Sequence, residues 1–68
     1  MRIVANRDIF TKSRILKGLS QRELARQSGL SHGYISLIER GNKSIGPKAA
    51  KKVSEILDKN VEELFIIE

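Results

Sequence analysis

The sequence predicts an all-α domain of five short helices, and three observations carry that reading. Gly18, Gly29 and Gly41 each close a short amphipathic stretch, as helix-ending glycines do. Ser20, Ser31 and Asn60 stand at helix-capping positions, and Pro47 at a first-turn position. No segment alternates polar and apolar residues long enough for a strand, outside the brief Arg2-Ile3-Val4-Ala5 start. Sixty-eight residues allow one domain with a small core, divided here into an N-terminal arm, residues 1–6, and a helical domain, residues 7–66.

The first helix is expected from Asn6 or Arg7 to Lys17, stopped by Gly18. Phe10, Ser13, Arg14 and Lys17 share one face of it, which is less apolar than usual, while Ile9, Ile15 and Leu16 lie around the other sides. Ser20-Gln21-Arg22-Glu23 has capping-box spacing, so the serine hydroxyl and the glutamate carboxylate each satisfy the other's backbone end. A second helix starts there and runs to Gln27 or Ser28, before Gly29 permits a tight turn. Ser31 caps a third over His32 to Arg40, with Ile35 and Ile38 turned inward. Residues Asn42 to Gly46 form a polar loop around Ile45. Pro47 opens a fourth helix with Ala50, Val53, Ser54 and Leu57 inward and Lys48, Lys51, Lys52 and Glu55 outward. Asn60 with Glu63 repeats the capping arrangement for a short fifth helix bearing Val61, Leu64 and Phe65.

Charge is unevenly spread. Residues 1–57 hold 12 Lys/Arg against 4 Asp/Glu, or +8, and residues 58–68 hold 1 against 4, or −3, which together give the net +5. A basic body with an acidic tail suits a small nucleic-acid-binding domain with one binding face. Three aromatics, Phe10, Tyr34 and Phe65, are too few for a single-strand stacking platform. Without cysteine and with one histidine, thiolate and histidine-rich metal sites are excluded, and neither metal nor cofactor is implied. No serine has a histidine and carboxylate arranged around it and no lysine a glycine-rich phosphate loop, so no catalytic residue is assigned and no enzyme is expected. Apolar runs reach only four residues, against roughly 20 needed to span a bilayer, and no signal-peptide core is visible. A cytoplasmic protein without a membrane partner is expected.

The informative stretch is Gln21 to Arg40, QRELARQSGLSHGYISLIER. Two short helices across a glycine turn pack at a steep angle, with Ala25 small where the backbones come closest and Leu24, Leu30, Ile35 and Ile38 closing a shared core. The outer side of the second of them is then free to enter a DNA major groove. Gly18-Leu19-Ser20-Gln21, Glu23-Leu24-Ala25, Gly29-Leu30-Ser31, Tyr34-Ile35-Ser36 and Ile38-Glu39-Arg40-Gly41 resemble the pattern of the lambda-repressor-like helix-turn-helix family of phage repressors, Cro proteins and Xre-type regulators. The resemblance spans residues 7–66 and implies five helices, the second and third forming the DNA-reading unit.

Carried residue by residue, the resemblance implies that Gln21 bonds a backbone phosphate and braces the recognition helix, its amide offering both donor and acceptor. It sets His32, Gly33, Ser36 and Leu37 at base edges and Tyr34 where phosphate or base is in reach. For His32 an idle surface position is the alternative. Ser31 is a cap whose neighbouring N–H groups meet a phosphate, and Arg40, Asn42, Lys43 and Ser44 make a second phosphate-binding loop. The chain departs from many relatives in lacking a bidentate side chain at the base-facing positions: Gly33 has none, and Leu37 offers apolar contact of the kind a thymine methyl accepts. Glycine inside a helix costs about 1 kcal/mol against alanine. Either the position near the helix start tolerates it, or it lets the backbone approach DNA closely. Arg14 and Glu39 match a buried ion pair joining the first and third helices in some relatives, the alternative being two unrelated surface charges.

The apolar ending Leu64-Phe65-Ile66-Ile67 is longer than a five-helix core needs. Leu64 and Phe65 read as core. Phe65, Ile66 and Ile67 are also assigned to a self-complementary two-fold dimer surface, while Ile66 and Ile67 capping the monomer core is the alternative. A dimer would set two recognition helices roughly 34 Å apart, one turn of DNA. The expected function is a sequence-specific regulator of double-stranded DNA, a homodimeric repressor reading a palindromic operator through its third helix. Two alternatives stand beside it. One is an interaction module such as an antitoxin or anti-regulator, meeting a regulatory protein partner through Ile15, Leu16, Ile66 and Ile67; the other is a restriction-modification controller that also activates.

Overall fold

All 68 residues are described by the structure, a computed structural model. Strand β1, Ile3–Ala5, leads into helices α1, Arg7–Leu16, α2, Gln21–Ser28, α3, His32–Glu39, α4, Pro47–Ile56, and α5, Val61–Leu64, and the chain closes on strand β2, Phe65–Ile67. The five helices stand where the capping and stop signals set them. Asn6, Ser20 and Ser31 cap through side-chain oxygens that accept from the N–H of Ile9, Glu23 and Tyr34 at 3.4, 3.0 and 3.1 Å. The capping box at Ser20 is one-sided, because the Glu23 carboxylate turns to Arg26 and Gln27 in place of the Ser20 N–H. A charge-assisted bond to a guanidinium is stronger than one to a neutral amide. At α5 the carboxylate arm does form, the Asn60 N–H donating to Glu63 Oε1 at 2.9 Å.

The fold adds a two-stranded antiparallel sheet to the expected helices. Ile3, Val4 and Ala5 pair with Ile67, Ile66 and Phe65, and the ladder is lengthened by the Asn6 N–H on the Leu64 carbonyl at 2.8 Å and by reciprocal bonds between Arg2 and Glu68 at 3.3 and 2.8 Å. Residues 3–5 of the N-terminal arm thus pair with the chain's own ending, and the chain leaves helical geometry at Phe65, inside the stretch expected to be helical. Two short segments rich in β-branched residues, each too brief to signal a strand alone, satisfy one another's backbone groups.

Ile3, Ala5 and Phe65 turn to one face of this ribbon and close the core. Phe65 is 3% exposed and meets Phe10 edge to face, ring centroids 5.9 Å apart. Its assignment to a dimer surface is thereby corrected, since the side chain is spent inside the monomer. Phe10, Leu24, Ile35, Ile38, Val53 and Leu64 are fully buried, with Leu30 packed against them from the rim, whereas Ile9, Ile15 and Leu16 lie outside. The Ser54 hydroxyl is buried without a partner. No helix is long and apolar enough to cross a membrane.

Two helix ends show what the backbone requires. Gly29 ends α2 at φ +76°, a left-handed conformation that glycine reaches without a β-carbon penalty. After α4 the same conformation falls to Asp58, at φ +59°, where the Lys59 N–H bonds back to the Ser54 carbonyl at 2.9 Å. Asp58 also sets a negative charge at the negative end of the helix dipole. Asp58→Gly is predicted to stabilise the domain by about 0.5–1 kcal/mol, read as a rise in Tm of several degrees; an unchanged or lower Tm would refute the strain at this turn.

Candidate nucleic-acid interface

The α2–α3 unit is built from its turn outward. The Gly29 and Leu30 N–H groups both bond to the Ala25 carbonyl, at 2.9 and 3.2 Å. The buried Ser28 hydroxyl donates to that same carbonyl at 3.2 Å and accepts from the Leu30 N–H at 3.4 Å. Ser28 was not singled out by sequence, although it follows Leu24 by four residues and so shares its inward face. With Ala25 buried between the helices and Ile35 and Ile38 beneath α3, the inner side of the pair is fully occupied.

Arg14 and Glu39 meet inside this frame. Arg14 Nε and Nη2 donate to the two carboxylate oxygens of Glu39 at 2.8 and 2.9 Å, Arg14 Nη1 donates to the Leu19 carbonyl at 2.9 Å, and Thr11 Oγ1 donates to Glu39 Oε2 at 2.8 Å. The side chains are only 13% and 7% exposed. Burial alone would push the Glu39 carboxyl up, but the bonds from Arg14, Thr11 and Gln21 together hold it below the usual carboxylate value. The bond to Glu39 raises the Arg14 guanidinium, against the opposing effect of burial. Gln21, expected at a phosphate, opens α2 half-buried. Glu23, by contrast, is held down to about 2 by Arg26 and Gln27 at the surface.

The outer side of α3 carries the residues expected at base edges. Gly33, Ser36, Leu37 and Arg40 fall on one face of α3, Leu37 four residues after Gly33 and Arg40 four after Ser36, opposite Ile35 and Ile38. Ser31, His32, Gly33, Leu37 and Arg40 are exposed, and Ser36 is half-buried. Ser36 and Arg40 are joined: Arg40 Nη2 donates to Ser36 Oγ at 2.9 Å and Nε to the Ser36 carbonyl at 3.3 Å. Tyr34 is turned partly inward, its hydroxyl donating to the Ser44 carbonyl at 3.2 Å. That bond and one from the Ile45 N–H to the Ile3 carbonyl, at 2.9 Å, hold the loop after α3 from two sides. Asn42 and Lys43 stand exposed on it. No group of three His, Cys, Asp or Glu side chains is disposed to hold a metal.

Two short helices packed across a left-handed glycine turn, the second with a free outer face and a tethered basic loop behind it, define a helix-turn-helix DNA-binding domain. The helix-turn-helix family model matches residues 12–64, and the chain belongs to that family, the lambda-repressor-like, Xre-type DNA-binding transcriptional regulators. Among solved structures, the restriction-modification controller protein C.AhdI from Aeromonas hydrophila is 34% identical, with 82% of this chain and 85% of that one covered and a TM-score of 0.75. SinR, a master regulator for biofilm formation solved in complex with DNA, is 35% identical over 78% of this chain and 86% of that one, TM-score 0.72. The clp gene regulator ClgR from C. glutamicum is 35% identical over 79% and 69%, TM-score 0.73. No curated protein sequence matches the chain.

Removing one partner of a buried ion pair leaves the other charge unpaired. Glu39→Ala is therefore predicted to cost about 3–5 kcal/mol in denaturant unfolding, and a stability equal to wild type would refute the pairing. Because the folded-state Glu39 pKa lies below its unfolded value, its contribution is complete above the ordinary carboxylate range and is lost as pH falls through the folded value. The stability gap between wild type and Glu39→Gln should accordingly narrow between about pH 7 and about pH 3.

Proposed function

We propose that the protein is a homodimeric repressor that lays α3 in the major groove of a palindromic operator. The observation that carries this reading is the outer face of α3: its inner side is committed to the core, whereas His32, Gly33, Leu37 and Arg40 face water beside a loop bearing Asn42 and Lys43. In this reading His32 and Ser36 contact base edges, while Gln21, Tyr34, Arg40, Asn42, Lys43 and Ser44, with the N–H groups behind Ser31, meet phosphates. Phosphate contacts supply affinity that falls with salt, and base contacts supply the difference between sites. The related SinR has been solved in complex with DNA, which supports the reading of this chain as a DNA binder.

Dimerisation would use Ile66 and Ile67, which are 50% and 54% exposed on a strand with no neighbour at its outer edge. The acidic tail would lie there, away from phosphate. A second reading, a restriction-modification controller that activates as well as represses, is favoured by the likeness to C.AhdI over most of both chains.

His32→Ala and Ser36→Ala are predicted to lower discrimination between operator and random DNA, whereas Lys43→Ala weakens both and reduces the salt slope by about one. Equal losses on every sequence for the α3 variants would refute the base-reading assignment. Sedimentation equilibrium tests the dimer: Ile67→Asp should lower the association constant, and a wild-type constant would exclude that surface.

A further inference from the structure

Arg2 lies before the first helix, yet the fold brings it to the loop after α3. Strand β1 has β2 along one side and that loop along the other: Ile3–Ala5 pair with Phe65–Ile67, and the Ile3 carbonyl accepts from the Ile45 N–H at 2.9 Å. Arg2 directly precedes Ile3, and Lys43 comes just ahead of Ile45. Both are exposed, and they line one cleft of about 400 Å³ with Tyr34, Ser44, Gly46 and Pro47. No acidic side chain lines it. A cleft walled by one sign of charge gathers ions of the other. Arg2 is tied to an acid only from outside the cleft, its Nη1 lying 3.5 Å from Glu68 Oε1, with the two side chains 60% and 54% exposed. So exposed an ion pair contributes little to stability and is readily exchanged for another anion. Meanwhile the main chain of Arg2 is fixed by reciprocal bonds with that of Glu68, at 3.3 and 2.8 Å. The guanidinium can therefore change partner while the strand stays in place.

We infer that Arg2 is a further DNA contact, exchanging the Glu68 carboxylate for a backbone phosphate beside Lys43. The inference rests on the reading of the loop after α3 as phosphate-binding, and it extends that surface to the first strand of the chain. A contact of this kind adds affinity and fixes register without reading sequence. Glu68 is the competitor built into the protein, and the exchange releases it from the cleft, in keeping with an acidic tail that lies away from phosphate.

Because phosphate contacts are blind to sequence, a duplex of random sequence serves as the probe, titrated by fluorescence anisotropy over a range of salt. Arg2→Ala should lower the slope of log affinity against log salt by about 0.9, the share of one phosphate contact. Arg2→Gln, which keeps the side-chain stem, should give the same fall and so separates a lost charge from lost packing on β1. Lys59→Ala removes an equal charge beyond the far end of α4 and should keep the wild-type slope. Glu68→Gln should bind about two- to fivefold tighter, the worth of an exposed ion pair, and that gain should vanish in the Arg2→Ala background. A wild-type slope in the Arg2 variants, an equal fall in Lys59→Ala, or a Glu68→Gln gain that persists without Arg2 would overturn the inference. Lys43→Ala tells its failure from that of the underlying reading. If Lys43→Ala lowers the slope and the Arg2 variants do not, the loop stays at phosphate and Arg2 alone is excluded; if none of them lowers it, the loop reading falls and takes the inference with it.

Discussion

Glu39 is the point at which α3 is held to α1 and, through Arg14, to the turn that leads into α2. Its two oxygens receive Thr11 and the forked guanidinium of Arg14 from α1, and the remaining arm of Arg14 reaches the Leu19 carbonyl in the turn before α2. Two charges taken out of water stabilise a fold only when their remaining bonding positions are filled. Here the Thr11 hydroxyl and the Leu19 carbonyl help to fill them. The orientation of α3 against α1 and the path of the turn into α2 are set by one polar cluster that tolerates little displacement, because hydrogen bonds weaken steeply with angle. The apolar core supplies most of the driving force, but contact among Leu24, Ile35 and Ile38 is less directional. The outer face of α3 is aimed by the buried pair beneath it.

The loop after α3 is held by a different device. Tyr34 clasps the Ser44 carbonyl from within α3, and Ile45 is buried and bound through its N–H to Ile3 of β1. A loop that carries exposed Asn42 and Lys43 is thus fixed at its far end by the first strand of the chain. The outer face of α3 and the loop behind it are positioned by separate tethers, one electrostatic and one through the sheet backbone. Substitutions in either tether alter one half of the interface more than the other.

Most of the helical frame was legible in the sequence, because its signals are local. Ser20 and Ser31 cap where their side chains reach an N–H three residues on, and Gly29 turns where only a few residues of chain decide the conformation. The Arg14–Glu39 pair was legible only through family pattern, since nothing in the spacing of two charges 25 residues apart says that they meet. The ladder was not legible at all. Ile3–Ala5 and Phe65–Ile67 are each three residues long, and each is a strand only because the other is present. That omission let Phe65, read as core, be assigned to a dimer surface as well, and left Ile3 and Ala5 in an arm. Within the interface, side-chain choices among near neighbours also escaped: Glu23 prefers Arg26 to the Ser20 N–H, Arg40 lies back on Ser36, and Tyr34 faces the loop.

The pairing of residue 3 with residue 67 also governs how the molecule assembles and loosens. Closing so long a loop costs chain entropy before any ladder contact offsets it, whereas α2 and α3 meet across a few residues. Assembly therefore runs from the helical pair outward, and the strands join last. The same ladder ties both ends of the chain to the loop after α3, since the Ile45 N–H bonds to the Ile3 carbonyl. Each local opening of β1 withdraws the Ile3 carbonyl from Ile45 and frees the loop that carries Lys43, while Glu39 keeps α3 docked. The outer face of α3 and the loop thus depend on different parts of the chain, the helix on the Arg14–Glu39 pair and the loop on the strand that joins the two ends.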